Sequence, residues 1–148
     1  LLDAVAVSLD EEQTEQLLRK VPEIYGTQIN DVLLTAFAQA VGPWIGSSAV
    51  LLDLEGHGRE ELFEDVDITR TVGWFTTLFP VFLAIGAEAD LGWVLKSVKE
   101  QLRVIPNRGI GYGLLRYLTG DDMTTQQLAS LPQAEIIFNY LGQIGQAV

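Results

Sequence analysis

The chain contains no cysteine. That excludes disulfides, a thiolate nucleophile and thiolate metal ligands. A single histidine leaves too few imidazoles for a zinc site of its own. Basic residues are scarce: 9 Lys and Arg stand against 20 Asp and Glu, for a net charge of −11. Nothing here can neutralise a run of phosphates, so nucleic acid is excluded as a partner. No run reaches the ~18 apolar residues that a bilayer span requires, so no membrane partner is expected. The first residues, LLDAVAVSLDEE, lack the basic start and small-residue cleavage site of a secretion signal. They read as a chain entered in mid-fold, and a cytoplasmic setting is expected.

What is present is a globular composition. The 148 residues are 48% hydrophobic, with 14 Gly and 5 Pro, enough for one domain with a real core. The acidic surplus reads as a solubilising surface. No repeat, low-complexity tract or linker divides the chain.

One stretch organises the rest, Leu51 to Pro80. The apolar run Ala49 to Leu54 reads as a strand that breaks at Glu55-Gly56-His57-Gly58-Arg59-Glu60. Two glycines one residue apart let the backbone turn sharply. A carboxylate, an imidazole and a guanidinium are thereby left together past a strand end, where sites are often built. On the strand, Leu51, Asp53 and Glu55 share one face, with Leu52 and Leu54 on the other. An acidic loop, Glu60 to Asp67, follows.

Taken in order, Ala4 to Leu9 alternates and is expected to be a strand. Asp10 caps the next helix, with Gln13 completing a capping box. Leu17, Leu18 and Val21 form its apolar face, Pro22 lies near its end and Tyr25-Gly26 closes it. Asn30 is expected as the N-cap of a second helix, with Asp31 in its first turn. Its stripe is Val32, Leu33, Ala36, Phe37, Ala40 and Val41, and Gly42-Pro43 stops it. Strands are expected at Thr71–Phe75 and Val81–Ile85, with Pro80 marking an edge or a break. The longest helix is expected over Glu88–Ile105, burying Leu91, Val94, Leu95, Val98, Leu102 and Ile105. A glycine-rich loop at 106–113, a short helical piece at Leu114–Leu118 and a turn at Gly120-Asp121-Asp122 follow. Thr124 or Thr125 caps a short helix ending before Pro132, and Glu135–Leu141 is the last strand. The sum is an α/β architecture, a mixed sheet with helices packed on it.

Glu55 is the leading candidate for chemistry, since a carboxylate at a strand end can act as a general base. A solvated loop glutamate is the plainer reading of the same pattern. His57 has no Ser or Cys nucleophile beside it and reads equally as a loop former. Arg59 can fix Glu55 or a ligand carboxylate, or pair structurally with Glu60, Glu61 or Glu64. Asn139 and Tyr140 bring polar tips to the end of an apolar strand, as ligand contacts or as satisfied core groups. Trp74, Phe75, Phe79 and Phe82 read as core. The Gly109-Ile110-Gly111-Tyr112-Gly113 loop has the spacing of neither nucleotide fingerprint; close backbone packing is its expected use.

EGHGRE at 55–60, RTVGWFTTLFP at 70–80, PNRGIGYG at 106–113 and FNYLGQ at 138–143, with NDVLLTA at 30–36, are similar in order and spacing to motifs of the epimerization domains of nonribosomal peptide synthetases. The resemblance covers nearly the whole chain. It implies a two-lobed fold like chloramphenicol acetyltransferase, in the condensation-domain superfamily, with an active-site channel between the lobes. Residues 1–148 would form the C-terminal lobe, and the family's HHxxxDG motif, which belongs to the N-terminal lobe, is not in this sequence. The implied substrate is an aminoacyl or peptidyl thioester on the phosphopantetheine arm of a partner carrier domain, with no cofactor bound directly. The implied reaction interconverts L and D configuration at Cα. Glu55 would be one acid/base, facing the histidine of the N-terminal lobe. Arg59 would hold the loop, and Asn139 and Tyr140 would line the channel beside His57. The resemblance also implies that this chain alone is inactive and exposes an apolar surface toward the other lobe. Two alternatives remain at this point: a non-catalytic module that docks a carrier domain or the other lobe, and the C-terminal lobe of a peptide-bond-forming condensation domain.

Overall fold

The computed structural model describes residues 3–86 and 90–142. Its three-stranded sheet has the order β2-β1-β3. The central strand β1 (Ala49–Gly56) pairs antiparallel with β2 (Thr77–Ala84) and parallel with β3 (Ile137–Phe138). The sheet is therefore mixed, as the alternation of elements predicts. β1 and β2 run in register from Ala49 opposite Ala84 to Gly56 opposite Thr77.

Alternation gives the sheet two unlike faces. Val50, Leu52 and Leu54 lie opposite Leu83, Val81 and Phe79, and all six are buried. Helices α3 (Ile29–Ile45) and α4 (Leu91–Arg103) pack on this face. They bring Leu34 and Ala38, and Val94 and Val98, into one core. The other face carries Leu51, Asp53 and Glu55 beside Phe82, Pro80 and Leu78. Phe82 and Leu78 remain exposed there.

The helices form where caps and periodicity place them, with instructive departures. Asp10 accepts the Gln13 N–H at 2.7 Å, and the Gln13 side chain accepts the Asp10 N–H at 3.2 Å, so the predicted capping box opens α1 (Glu11–Glu15). A π-helical turn, Gln16–Lys20, leads into α2 (Val21–Tyr25), whose second residue is Pro22. The wider turn relieves the clash between a proline ring and the carbonyl four residues back. Gly26, at φ 60°, then closes the segment.

α3 differs from its predicted form in three ways. Its N-cap is Gln28 rather than Asn30, and the Asp31 carboxylate reaches back to the Gln28 N–H at 2.7 Å. Its buried positions are Asp31, Leu34, Thr35, Ala38 and Gly42, and of the predicted stripe Phe37 and Val41 pack partly buried against the core. The helix is apolar on more than one side, so periodicity alone does not say which stripe meets the sheet. It also runs past Gly42-Pro43 to Ile45 and ends on Gly46 at φ 69°. A proline in the last turn removes one hydrogen bond without ending the helix.

The valines of residues 4–9 form no strand; Val5 and Val7 are almost fully exposed. A strand needs a partner ladder, and none pairs with these residues among the described ones. The region 71–75 is likewise not a strand. Of the two expectations for Pro80, the edge holds and the break does not: β2 runs through it as one strand at the edge of the described sheet. α4 starts at its Asp90 cap, with Val94, Leu95 and Val98 buried as predicted but Leu91 exposed. The predicted start at Glu88 lies outside the described residues. Gly111 and Gly113 belong to helix α5 (Gly111–Tyr117) with open space at their Cβ positions, so only Gly109 serves close packing. Asp121, not a threonine, caps α6 (Asp122–Ser130). β3 is shorter than the predicted 135–141. Of the four aromatics expected in the core, Phe79 is buried and Phe75 half-buried, while Trp74 and Phe82 are exposed.

Candidate functional site

The connection between β1 and β2, residues 57–76, is well above the ~12–15 residues at which an irregular loop becomes uncommon. It is built around Arg59. The guanidinium donates from Nη1 to the Ile68 carbonyl at 2.8 Å and from Nη2 to the Thr71 carbonyl at 2.9 Å. Its carbon sits 4.2 Å from the centre of the Phe75 ring. A planar fork with delocalised charge suits both contacts at once. Arg59 thus binds main-chain carbonyls rather than Glu60, Glu61 or Glu64, because the folded loop presents them at the right span. Further along, hydrogen bonds from the Thr69 hydroxyl and backbone N–H hold the Asp67 carboxyl below the ordinary aspartate range.

Gly58 lies at φ 65°, and a Cβ there would fall on the Phe75 carbonyl oxygen. The first turn of the loop and its return therefore touch backbone to backbone, which only glycine permits.

Glu55 is half-buried at the carboxyl end of β1 and is among the residues lining a cavity of about 380 Å³. Gln28, Asn30 and Asp31 of the α3 start, Arg103 at the end of α4 with Ile105 just beyond, and His57, Glu60 and Arg108 complete much of its wall. Among the described residues, no hydrogen bond or ion pair engages the Glu55 carboxylate. The Asn30 Oδ1 is buried in the same region with no partner among the described residues.

Parallel pairing brings a second expected residue to the same place. Leu54 pairs with Phe138, so Glu55 and Asn139 each stand one residue beyond, at the carboxyl ends of adjacent parallel strands. In α/β sheets that end is where ligands bind. Asn139 is exposed and Tyr140 half-buried. Of the FNYLGQ stretch, Gln143 lies outside the described residues.

His57 is exposed on the cavity rim. Its Nδ1 accepts the Arg59 N–H at 2.9 Å, so the neutral ring carries its proton on Nε2. That nitrogen lies 3.3 Å from Glu60 Oε1, and Glu60 Oε2 lies 3.5 Å from Arg108 Nε. Sequence reasoning offered Glu60 only as a structural partner of Arg59 and assigned no role to Arg108. The one available signal was their position inside two of the motif stretches, since nothing local pairs residues so far apart in the chain. Among the described residues, no three His, Asp or Glu side chains converge to hold a metal ion, and no helix is long and apolar enough to cross a membrane.

A second cavity, of about 730 Å³, opens on the other sheet face between Asp53, Leu78, Pro80, Trp74 and Tyr112. Trp74 on its wall is nearly fully exposed.

A mixed sheet with helices on one face and polar groups gathered at its strand ends matches the chloramphenicol-acetyltransferase-like fold. The condensation-domain family model matches residues 2–148, and the chain belongs to that family. It is 54% identical over 141 residues to a linear gramicidin synthase of Brevibacillus parabrevis, covering 95% of this chain and 3% of that protein. It is 49% identical over 142 residues to surfactin synthase subunit 1 of Bacillus subtilis (strain 168), covering 96% and 4%. Among solved structures, the epimerization domain from the third module of tyrocidine synthetase B superposes with a TM-score of 0.80 at 46% identity, covering 90% of this chain and 30% of that one. The first condensation domain of the calcium-dependent antibiotic synthetase, at 20% identity and a TM-score of 0.57 over 73% of this chain and 25% of that one, shares the fold. The chain thus spans only a few per cent of the length of these large synthases.

Proposed function

We propose that residues 1–148 form the C-terminal lobe of an epimerization domain in a cytoplasmic peptide synthetase, and that Glu55 is one of its two acid/base groups. The observation that carries this reading is the setting of Glu55: a half-buried carboxylate at a strand end, on a cavity wall, with no partner among the described residues. The 46% identity to a solved epimerization domain, against 20% to a condensation domain, supports epimerization over peptide-bond formation.

The substrate is an aminoacyl or peptidyl thioester carried on the phosphopantetheine arm of a carrier domain. The Glu55 carboxylate takes the Cα proton, and the electron pair of the broken C–H bond moves toward the thioester carbonyl as an enolate. A proton returned to the opposite face restores the C–H bond with inverted configuration. By the family resemblance, that proton comes from the histidine of the N-terminal lobe. Solvent exchange then resets the protonation of the two groups. Asn139 and Tyr140 line the channel at the strand ends, and Arg59 keeps the long loop in place. This lobe alone is inactive, because it supplies one face of a two-faced reaction.

Replacing Glu55 by Gln in the intact two-lobed domain keeps the shape and removes the base. Deuterium wash-in at Cα of a carrier-bound thioester is expected to fall by a factor of about 10² or more, the usual contribution of a positioned acid/base. Wild-type exchange in that variant would remove Glu55 from the mechanism. Peptide-bond formation without exchange would instead identify a condensation domain, and carrier binding without either reaction would identify a docking module.

A further inference from the structure

We propose that Glu60 is a positioning residue for the same site: by holding His57 and Arg108 at once, it fixes the two loops that wall the Glu55 cavity. The inference rests on the reading of Glu55 as an acid/base group.

Glu60 differs from the acidic residues after it. Glu61, Glu64, Asp65 and Asp67 are exposed, whereas the Glu60 side chain is 18% exposed, and its two oxygens face different partners. One faces His57 Nε2, two residues past Glu55. The other faces Arg108, which arrives from a turn far along the chain, Pro106–Gly109.

That turn is one the chain does not adopt unaided. Asn107, Arg108 and Gly109 have φ of 46°, 51° and 80°. Two successive non-glycine residues in the left-handed region are costly and persist only where their surroundings hold them. The Ile110 N–H bonds to the Asn107 carbonyl at 3.2 Å. A Cβ at Gly109 would fall on the Phe79 ring, so the turn sits directly on that ring. Phe79 itself lies opposite Leu54, the residue before Glu55. The Glu60–Arg108 pair supplies the remaining tie. It joins the loop that continues from Glu55 to the turn across the cavity.

Removing the Glu60 charge leaves a guanidinium unpaired on a wall that also carries Glu55. The freed cation competes for the Glu55 carboxylate and draws it from its position toward substrate.

The test uses the intact domain with an aminoacyl-loaded carrier domain. Deuterium wash-in is measured for Glu60→Gln, Arg108→Gln and the double variant, with Glu55→Gln alongside. Each single change is expected to lower kcat by about tenfold at unchanged KM, and the double variant to be no worse than the worse single one. Urea midpoints are measured in parallel, because a merely structural pair would couple there and not in kcat. Additive losses in kcat, or coupling confined to the midpoints with kcat intact, would overturn the proposal. Exchange that survives Glu55→Gln sinks the reading of Glu55 itself. Exchange lost in Glu55→Gln but untouched in Glu60→Gln sinks only the role of Glu60. If Glu60→Gln does not fold, Glu60→Asp keeps the charge but is one methylene too short to meet His57 and Arg108 at once. It should show the same kcat loss, and full activity in it would equally overturn the proposal.

Discussion

Gly58→Ala tests how the β1–β2 connection is anchored. Two separate costs meet at this residue. Its φ of 65° lies in the left-handed region, where a Cβ costs about 1–2 kcal/mol. The new methyl would also fall on the Phe75 carbonyl oxygen, with Thr77 Cγ2 3.2 Å away. A backbone carbonyl cannot swing aside as a side-chain tip does, so the loop must separate from residues 75–77, at about 1–3 kcal/mol for overpacking. The two together come to roughly 2–5 kcal/mol. Gly26→Ala provides the control: φ there is 60°, with nothing within 4 Å of the Cβ position. It should lose only the first contribution, about 1–2 kcal/mol. Urea denaturation of the intact domain gives both values from the shift of the midpoint at constant slope. Because the loop leaves β1 just after Glu55 and carries His57 at its start, Gly58→Ala should, on the proposed epimerization reading, also slow Cα–H exchange, whereas Gly26→Ala should not. Equal destabilisation by the two substitutions would refute the close-approach argument.

Arg59→Lys keeps the charge but cannot span two carbonyls while lying on the Phe75 ring. Amide hydrogen exchange across residues 57–76 should accelerate while the global midpoint hardly moves; unchanged protection would mean that the loop is held by other contacts. Asp121 accepts from the Thr124 hydroxyl at 2.5 Å and the Met123 N–H at 3.1 Å, which hold its carboxyl below the ordinary aspartate value of 3.8. The unfolded chain therefore takes up this proton first as the pH falls. The stabilisation is complete above that value and drains away below it. The stability difference between the wild type and Asp121→Asn should be flat at higher pH and change only below ~4; a difference that varies near neutrality would contradict this account.

The elements legible from sequence were those whose signals are local. Asp10 with Gln13 is a cap that needs no tertiary partner, and it forms. Glycines at 56 and 58 after an apolar run marked where β1 ends and left Glu55 at its tip. Val94 and Val98 gave the buried side of α4, because that helix has one apolar stripe. Where a long-range partner decides, the sequence was silent or misleading. Alternating valines at 4–9 have the pattern of a strand and, among the described residues, no ladder to join. α3 offers several apolar stripes, and the sheet selects the one through Leu34 and Ala38. Pro80 left edge and break both open, and the place of β2 in the described sheet decides for the edge. At the site, the contacts of Arg59 with the Ile68 and Thr71 carbonyls depend on how the loop closes, and the meeting of Glu60 and Arg108 depends on a left-handed turn. Neither is written in residue spacing.

Pro80 has a consequence for what can join the sheet. It lies opposite Asp53, whose own N–H turns the other way, to the Ile136 carbonyl at 2.8 Å. The pair is therefore one of the non-hydrogen-bonded positions of the ladder, and the donor that proline lacks is the one that would have faced outward. A stray strand approaching the flank of β2 meets a gap midway along it, so template-like growth on that side is blocked. The flank beyond β3 carries no such gap at Ile137 and Phe138.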